Sequence, residues 1–187
     1  MTEPPWILEL RRRLRREWVV PDVVKEIAEG TPDARPAAVL VPLYVREREL
    51  WTLFTKRSEA VETHKGQIAF PGGMEAVDDA SPWETALRET EEEIGYAPGH
   101  LTRLGAIYTT PGFTDEVIHL FAAHDLAPSE TRHEADEVMS VERLKLAAAV
   151  ARIESGEIRD AKTICALLIA ARLWGEGPPA AQRSAPA

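Results

Sequence analysis

Apolar and polar positions alternate along this chain at two different periods. Ala37–Val45 is a nearly continuous apolar run with Val, Leu and Tyr, which suits a buried strand. Glu47–Glu49 is a polar turn and Leu50–Lys56 alternates back, so the two segments predict a hairpin. A polar loop leads to Lys65, and a short strand over Gln67–Phe70 runs into Pro71-Gly72-Gly73. Leu101–Thr109 and Glu116–Ala123 predict further strands, and Val138–Val141 a short one. Elsewhere the period is helical. Ile7, Leu10, Leu14 and Trp18 form an apolar stripe in residues 4–18, with Arg11, Arg12, Arg13, Arg15 and Arg16 on the other face. A second short helix is expected over Pro21–Glu29, and Gly30–Pro36 reads as a linker. Ser140–Ser155 shows Leu144, Ala148, Ala151 and Ile153 at helical spacing. Asp160 suits the N-cap of a last helix, Ala161–Trp174, with Ile164, Leu167, Leu168 and Ala171 as its inner stripe. The pattern divides the chain into a helical extension (1–36), a domain (37–174) and a Pro-rich tail (175–187) expected to be disordered.

The segment Gly72–Tyr96 carries the chemistry. Its second half predicts a helix with Ser81 as N-cap, Pro82 at the first helical position and Glu84 at the third, a capping box. Gly95 suits the left-handed position after the last turn. Within the helix, Glu89, Glu92 and Glu93 fall at i, i+3 and i+4 and share a face. An isolated run of this kind is ordinarily a solvated acidic surface. Here a Gly-Gly turn precedes the helix and Arg88 stands directly before the first Glu. Clustered carboxylates of this kind supply the hard oxygen donors that a Mg²⁺ ion requires.

Composition narrows the partners. The 187 residues carry 22 Lys+Arg against 31 Asp+Glu, a net charge of -9, which argues against general nucleic acid binding. A small phosphorylated substrate stays compatible if a cation and local Arg or Lys mask the repulsion. The one cysteine, Cys165, excludes an intrachain disulfide and lies in an apolar helical run, where packing outweighs reactivity. No apolar run reaches the length of a membrane span and the N-terminus lacks a signal-peptide core, so a cytoplasmic protein is the default expectation.

The pattern Gly73…Asp79…Arg88-Glu89-Thr90-Glu91-Glu92-Glu93-Ile94-Gly95-Tyr96 resembles the signature of the Nudix hydrolases. It departs in the front half, where Asp79 stands near the family's Glu and the segment between Gly73 and Arg88 is one residue longer. The resemblance implies an α/β fold: a Nudix-type α/β/α sandwich with a mixed central sheet. It also implies a Mg²⁺ (or Mn²⁺) ion held by Glu89, Glu92 and Glu93 with the backbone of Gly73, acting on a nucleotide pyrophosphate. Arg88 is expected to fix a box carboxylate, or else to form a surface pair with Glu92. Glu134 and Glu137 are candidates for the general base, with a box Glu as the alternative. Lys56 and Arg57 are candidates for phosphate contact. His64 reads as structural.

Two branches of the family are echoed at once. Leu53-Phe54-Thr55-Lys56-Arg57-Ser58, Gly66 and Phe70-Pro71-Gly72-Gly73 resemble coenzyme A pyrophosphatases, although Glu62 stands where that branch has Arg. Pro111-Gly112-Phe113-Thr114-Asp115-Glu116 and Gly156–Thr163 resemble ADP-ribose pyrophosphatases, whose loop after the box holds the ribose and adenine side. By that resemblance Pro111, Phe113 and Glu116 join the substrate-binding set. ADP-ribose or a nucleoside diphosphate sugar is favoured, with coenzyme A as the alternative. The N-terminal helix is not the opening of a swapped ADP-ribose dimer, yet a homodimer stays open. A third reading, from another class, is a binding module that keeps the fold without the chemistry and uses the Arg-rich helix to grip RNA or a partner.

Overall fold

The computed structural model describes residues 36–60, 64–131 and 139–175. The predicted helices before Gly30, Glu62, the base candidates Glu134 and Glu137, and the tail beyond Gly175 lie outside them. The hairpin forms as expected, from β1 (Ala37–Arg46) and β2 (Glu49–Arg57). Its two-residue turn puts Glu47 and Arg48 at φ 55 and 65, a tight turn that suits the strand twist. Two short strands follow, β3 (Ile68–Ala69) and β4 (Gly72–Met74), and then the box helix α1 (Pro82–Ile94). The long strands β5 (Tyr96–Tyr108) and β6 (Val117–Pro128) come next. Strand β7 (Met139–Lys145) and helices α2 (Leu146–Glu154) and α3 (Ala161–Trp174) complete the domain.

The sheet is mixed. β1 runs parallel to β6 from Ala37↔Ile118 to Pro42↔Ala123, and the other pairings are antiparallel. The second edge of β1 is shared: its first residues pair with β4 (Ala38↔Gly73) and its last with β2 (Tyr44↔Trp51). Strand alternation separates two cores. Ala37, Val39, Val41 and Leu43 join Phe54, Leu120, Leu167 and Trp174 under α2 and α3. Ala38 and Leu40 join Phe121, Ala123 and Ala86 under α1. The α/β/α sandwich follows, with the box helix, among the described residues, alone over its face of the sheet.

Several expectations need correction. The short strand expected at Val138–Val141 forms from Met139 and runs on to Lys145, so Ser140–Lys145 is not helical: it pairs residue for residue with β2, Trp51↔Lys145 to Lys56↔Ser140. The helix is confined to 146–154, and its buried positions are Leu146 and Ala149 rather than Ala148 and Ala151. In α3 the inner stripe is turned by about one residue: Thr163, Ala166, Leu167, Ala170 and Trp174 are buried, while Leu168 is 47% exposed. The small residues face inward so that the helix can approach the sheet closely. β5 and β6 also run further than their apolar cores, since Tyr96↔Pro128 continues the ladder through a stretch that Pro98 and Gly99 make look like a turn.

Candidate active site

The start of α1 is built much as its sequence predicts, with one shift. Ser81 Oγ accepts from Glu84 N at 3.4 Å, but the Glu84 carboxylate reaches back to Ala80 N at 2.8 Å, one residue before the cap. Gly95, at φ 69, closes the helix with its N–H on Glu91 O. Between these ends Arg88 is the hub. Its Nε and Nη2 donate to Asp79 Oδ1 and Oδ2 at 3.1 and 3.0 Å, and its Nη1 donates to Glu92 Oε2 at 3.0 Å. Glu89 Oε1 lies 3.0 Å from Nη2. Both expectations for Arg88 are therefore met together: it holds box carboxylates, and one of them is Glu92 at i+4.

Asp79 was not among the expected site residues, and its place makes it the latch of the box loop. Its Oδ2 also accepts from Ala76 N and Thr85 Oγ1, both at 2.9 Å, so the loop before α1 is tied to the helix's first two turns. The Arg88 fork, with these extra donors, holds the Asp79 carboxyl down at about 2. The same carboxylates raise Arg88, which stays charged. Residue spacing alone does not mark this role: Asp79 precedes the helix and Arg88 lies about two turns into it, so the loop must fold back for the two to meet.

Glu93 and Glu89 meet the β4 backbone. Glu93 is 8% exposed, and its Oε2 accepts from Gly72 N at 3.3 Å. Gly72 sits at φ 154, and a Cβ there would lie 2.3 Å from Ala38 O, so only glycine fits. A Cβ on Gly73 would lie 2.5 Å from Glu89 Oε1. Gly73 thus brings bare backbone against a carboxylate. The other flank of α1 borders a cavity of about 430 Å³ lined by Arg88, Leu87 and the carboxylates of Asp79, Glu84, Glu91, Glu92 and Glu130.

Among the described residues, no three His, Cys, Asp or Glu side chains are gathered closely enough to hold a metal. Glu89 and Glu92 hold Arg88 instead. The donor chemistry nevertheless fits a hard divalent cation, because Glu89, Glu92 and Glu93 offer only oxygens beside an open stretch of backbone.

The remaining candidates divide. Arg57 ends β2 on the α1 face of the sheet, and its Nε is buried with no hydrogen-bond partner. Lys56 alternates to the opposite face, so the structure does not bring it to the box helix. Glu116 is pinned inside its own hairpin, accepting from Thr109 Oγ1 at 2.7 Å. Pro111 and Phe113 stand at the tip of that hairpin, with Phe113 97% exposed.

Sequence reasoning also missed a buttress behind β4. Asp160 caps α3 through Thr163 N at 3.0 Å and accepts from Thr163 Oγ1 at 2.6 Å. That hydroxyl in turn accepts from Phe70 N at 3.0 Å. The segment entering Pro71-Gly72-Gly73 is therefore anchored from the far helical layer.

A family model for the NUDIX domain matches residues 34–167. The chain belongs to the Nudix family. A segment of 88 residues, 46% of this chain, is 47% identical to the ADP-ribose pyrophosphatase of Bacillus subtilis (strain 168), covering 48% of that protein. Over 127 residues, 67% of this chain, it is 34% identical to the uncharacterized Nudix hydrolase NudL of Cronobacter sakazakii, covering 65% of it. Each match spans less than two thirds of the relative's own length. A solved structure of an ADP compounds hydrolase superposes with a TM-score of 0.64 at 25% identity, covering 78% of this chain and 76% of that one. A Nudix hydrolase from Alicyclobacillus acidocaldarius shares the fold, with a TM-score of 0.57 at 20% identity over 78% of this chain and 93% of that one. Among the described residues, no helix is long and apolar enough to cross a membrane.

Proposed function

We propose that this Nudix chain is a Mg²⁺-dependent pyrophosphatase that cleaves a nucleoside-diphosphate-linked metabolite and releases a nucleoside monophosphate. The observation that carries this reading is the meeting of Glu89 and Glu93 with the backbone of Gly72 and Gly73, with the Arg57 guanidinium on the same face of the sheet. Water attack on a P–O–P linkage is opposed by the charge of the phosphates. A divalent ion, Mg²⁺ or Mn²⁺, supplies charge neutralisation and an activated water when bound. Glu89, Glu92, Glu93 and the Gly73 backbone would hold it.

The protein's own part is positioning. Arg88 sets the rotamers of Glu89 and Glu92, and Asp79 sets Arg88. Arg57, with a buried and unpartnered Nε, is suited to a phosphate oxygen. A box Glu, Glu134 or Glu137 would take the proton from water. Pro111, Phe113 and Glu116 would border the sugar side.

ADP-ribose or a nucleoside diphosphate sugar is the favoured substrate, supported by the similarity to an ADP-ribose pyrophosphatase. Coenzyme A is the competing substrate, on the motif Phe70-Pro71-Gly72-Gly73. The test is product release from each, with Mg²⁺ and with EDTA. AMP from ADP-ribose, abolished by EDTA, is the expected result. Phosphopantetheine from coenzyme A alone would reverse the preference. Turnover of neither, with retention of RNA by residues 1–20, would favour a binding module.

A further inference from the structure

A second cavity, of about 180 Å³, opens at the far end of the β1–β2 hairpin and is lined by Tyr44, Arg46, Leu53, Tyr96, Leu126 and Arg143. Strand alternation puts it on the same face as the box helix. Ala38 and Leu40 pack under α1, so Tyr44 points to that side, and Phe54 packs on the other side, so Leu53 does too. Arg143 lies opposite Leu53 in the β2–β7 ladder. Leu126 packs against the core beneath α1. Leu53 and Arg57 are four residues apart on β2, about 13 Å at the rise of an extended strand. The cavity and Arg57 therefore lie on one face, within the reach of a single nucleotide-sized molecule.

The chemistry of the lining is cationic and phenolic over an aliphatic floor. Among the described residues, no carboxylate pairs with Arg143. Arg46 stacks over Trp51, with its carbon 5.4 Å from the ring centroid, and touches only the exposed Glu47. The Tyr44 hydroxyl is buried with no hydrogen-bond partner. Burial raises its pKa despite the nearby Arg143 and Arg46, so it stays a donor. A buried unsatisfied hydroxyl costs stability, and two guanidiniums facing one cavity, with the exposed Glu47 on Arg46 as their carboxylate partner among the described residues, repel. In a chain of net charge -9, such a gathering of donors is suited to an anion.

We propose that this cavity is a specificity subsite for a second phosphoryl group, carried on the nucleoside ribose of the substrate apart from the scissile linkage and held by Arg143, Arg46 and the Tyr44 hydroxyl. This rests on the pyrophosphatase reading and sharpens it. Among nucleoside-diphosphate-linked compounds the protein would select those that carry an additional phosphate on the nucleoside ribose. Tyr96 and Leu126 wall the subsite and fix its size.

The test compares substrates that differ by that phosphate alone: ADP-ribose against its 2′-phosphorylated form, and coenzyme A against its 3′-dephospho form. In at least one pair the wild-type protein should favour the phosphorylated member by about tenfold or more in kcat/KM, the scale of a charge-assisted contact. Arg143→Gln should bring that ratio close to one, and Tyr44→Phe should reduce it by roughly threefold. A wild-type ratio near one in both pairs, or a full ratio retained in Arg143→Gln, overturns the proposal. If the wild type turns over none of the four compounds, the pyrophosphatase reading fails by itself. The subsite is then judged by calorimetric titration of adenosine 3′,5′-bisphosphate against adenosine 5′-monophosphate. Tighter binding of the bisphosphate that is lost in Arg143→Gln upholds it, and equal binding of the two overturns it.

Discussion

Arg88 grips Asp79 through two parallel hydrogen bonds of 3.1 and 3.0 Å, and the same guanidinium holds Glu92 four residues further along the helix. The fork ties a surface loop to the face that carries the box carboxylates. Asp79→Asn keeps the size of the side chain and removes its charge. It should lower stability by about 1–3 kcal/mol, the range for a charged hydrogen bond, and reduce hydrolysis as Arg88 turns toward Glu89 and Glu92. Urea denaturation at pH 7 measures the first effect. The sign with pH follows from the lowered carboxyl. Its contribution is complete above the ordinary value of 3.8 and is lost as pH falls through about 2. Wild type and Asp79→Asn should therefore approach each other in stability below pH 3.8 and converge as pH falls to about 2, and a constant difference would rule the fork out as its source.

Glu93 has a different environment from its neighbours, buried against Gly72 N–H. Glu93→Gln keeps an acceptor for that N–H but loses the charge. Partners of metal ligands typically cost about 10–100-fold when replaced, so a ligand itself should cost at least about 100-fold in kcat/KM. Glu92→Gln should also impair turnover. Steady-state assays over a Mg²⁺ titration check this, and unchanged turnover in both variants would remove the metal assignment. Gly73→Ala tests the same point from the strand. Its Cβ would push on the end of the Glu89 side chain, which can yield, so activity should fall with little loss of fold.

Thr163 offers a test at a distance, for its hydroxyl is the acceptor of Phe70 N–H. Thr163→Val preserves shape and leaves that buried N–H without a partner. The expected cost is about 1–3 kcal/mol. Because Phe70 leads directly into Gly72, kcat should fall while the pH profile of the remaining activity stays unchanged. Thr163→Ser should recover most of both. Equal loss in the Ser and Val variants would mean that packing of the methyl group, not the hydrogen bond, is what matters.

The box helix was legible in the sequence because its signals are local: a cap, a proline, a glycine and charges at fixed spacing. The sandwich could be expected from the resemblance of the box to the Nudix signature, while the apolar runs and helical stripes located its elements. The short strand at Val138–Val141 was legible, but its continuation to Lys145 was hidden because Leu144 belongs to both periods, and only pairing with β2 chooses between them. The inner face of α3 was misjudged for a related reason. Helix–sheet approach favours Ala166 and Ala170 inside, whereas hydrophobicity alone favours Leu168. In the site, Arg88 was expected to meet a box carboxylate. That Asp79 would be its bidentate partner depends on how a lengthened loop folds back, which residue spacing does not specify. The convergence of Tyr44 with Arg143 joins β1 to β7 across 99 positions of sequence and has no local signal at all.

His119 gives the last prediction. It is buried on β6, opposite Ala106 in the ladder, and its Nδ1 lies 3.4 Å from Arg103 Nη2. Burial first, and then the neighbouring guanidinium, lower its pKa from 6.5 to about 4. The imidazole must therefore stay neutral for the fold to persist around it. A depressed histidine contributes stability that is complete above 6.5 and is lost as pH falls through about 4, because the unfolded chain binds the proton first. Wild-type stability should decline over this window. His119→Gln, which can still accept from Arg103 but cannot titrate, should decline less. Urea midpoints at pH 7.5, 5.5 and 4.5 for both proteins measure the difference. Parallel pH profiles would show that the imidazole is not the group responsible.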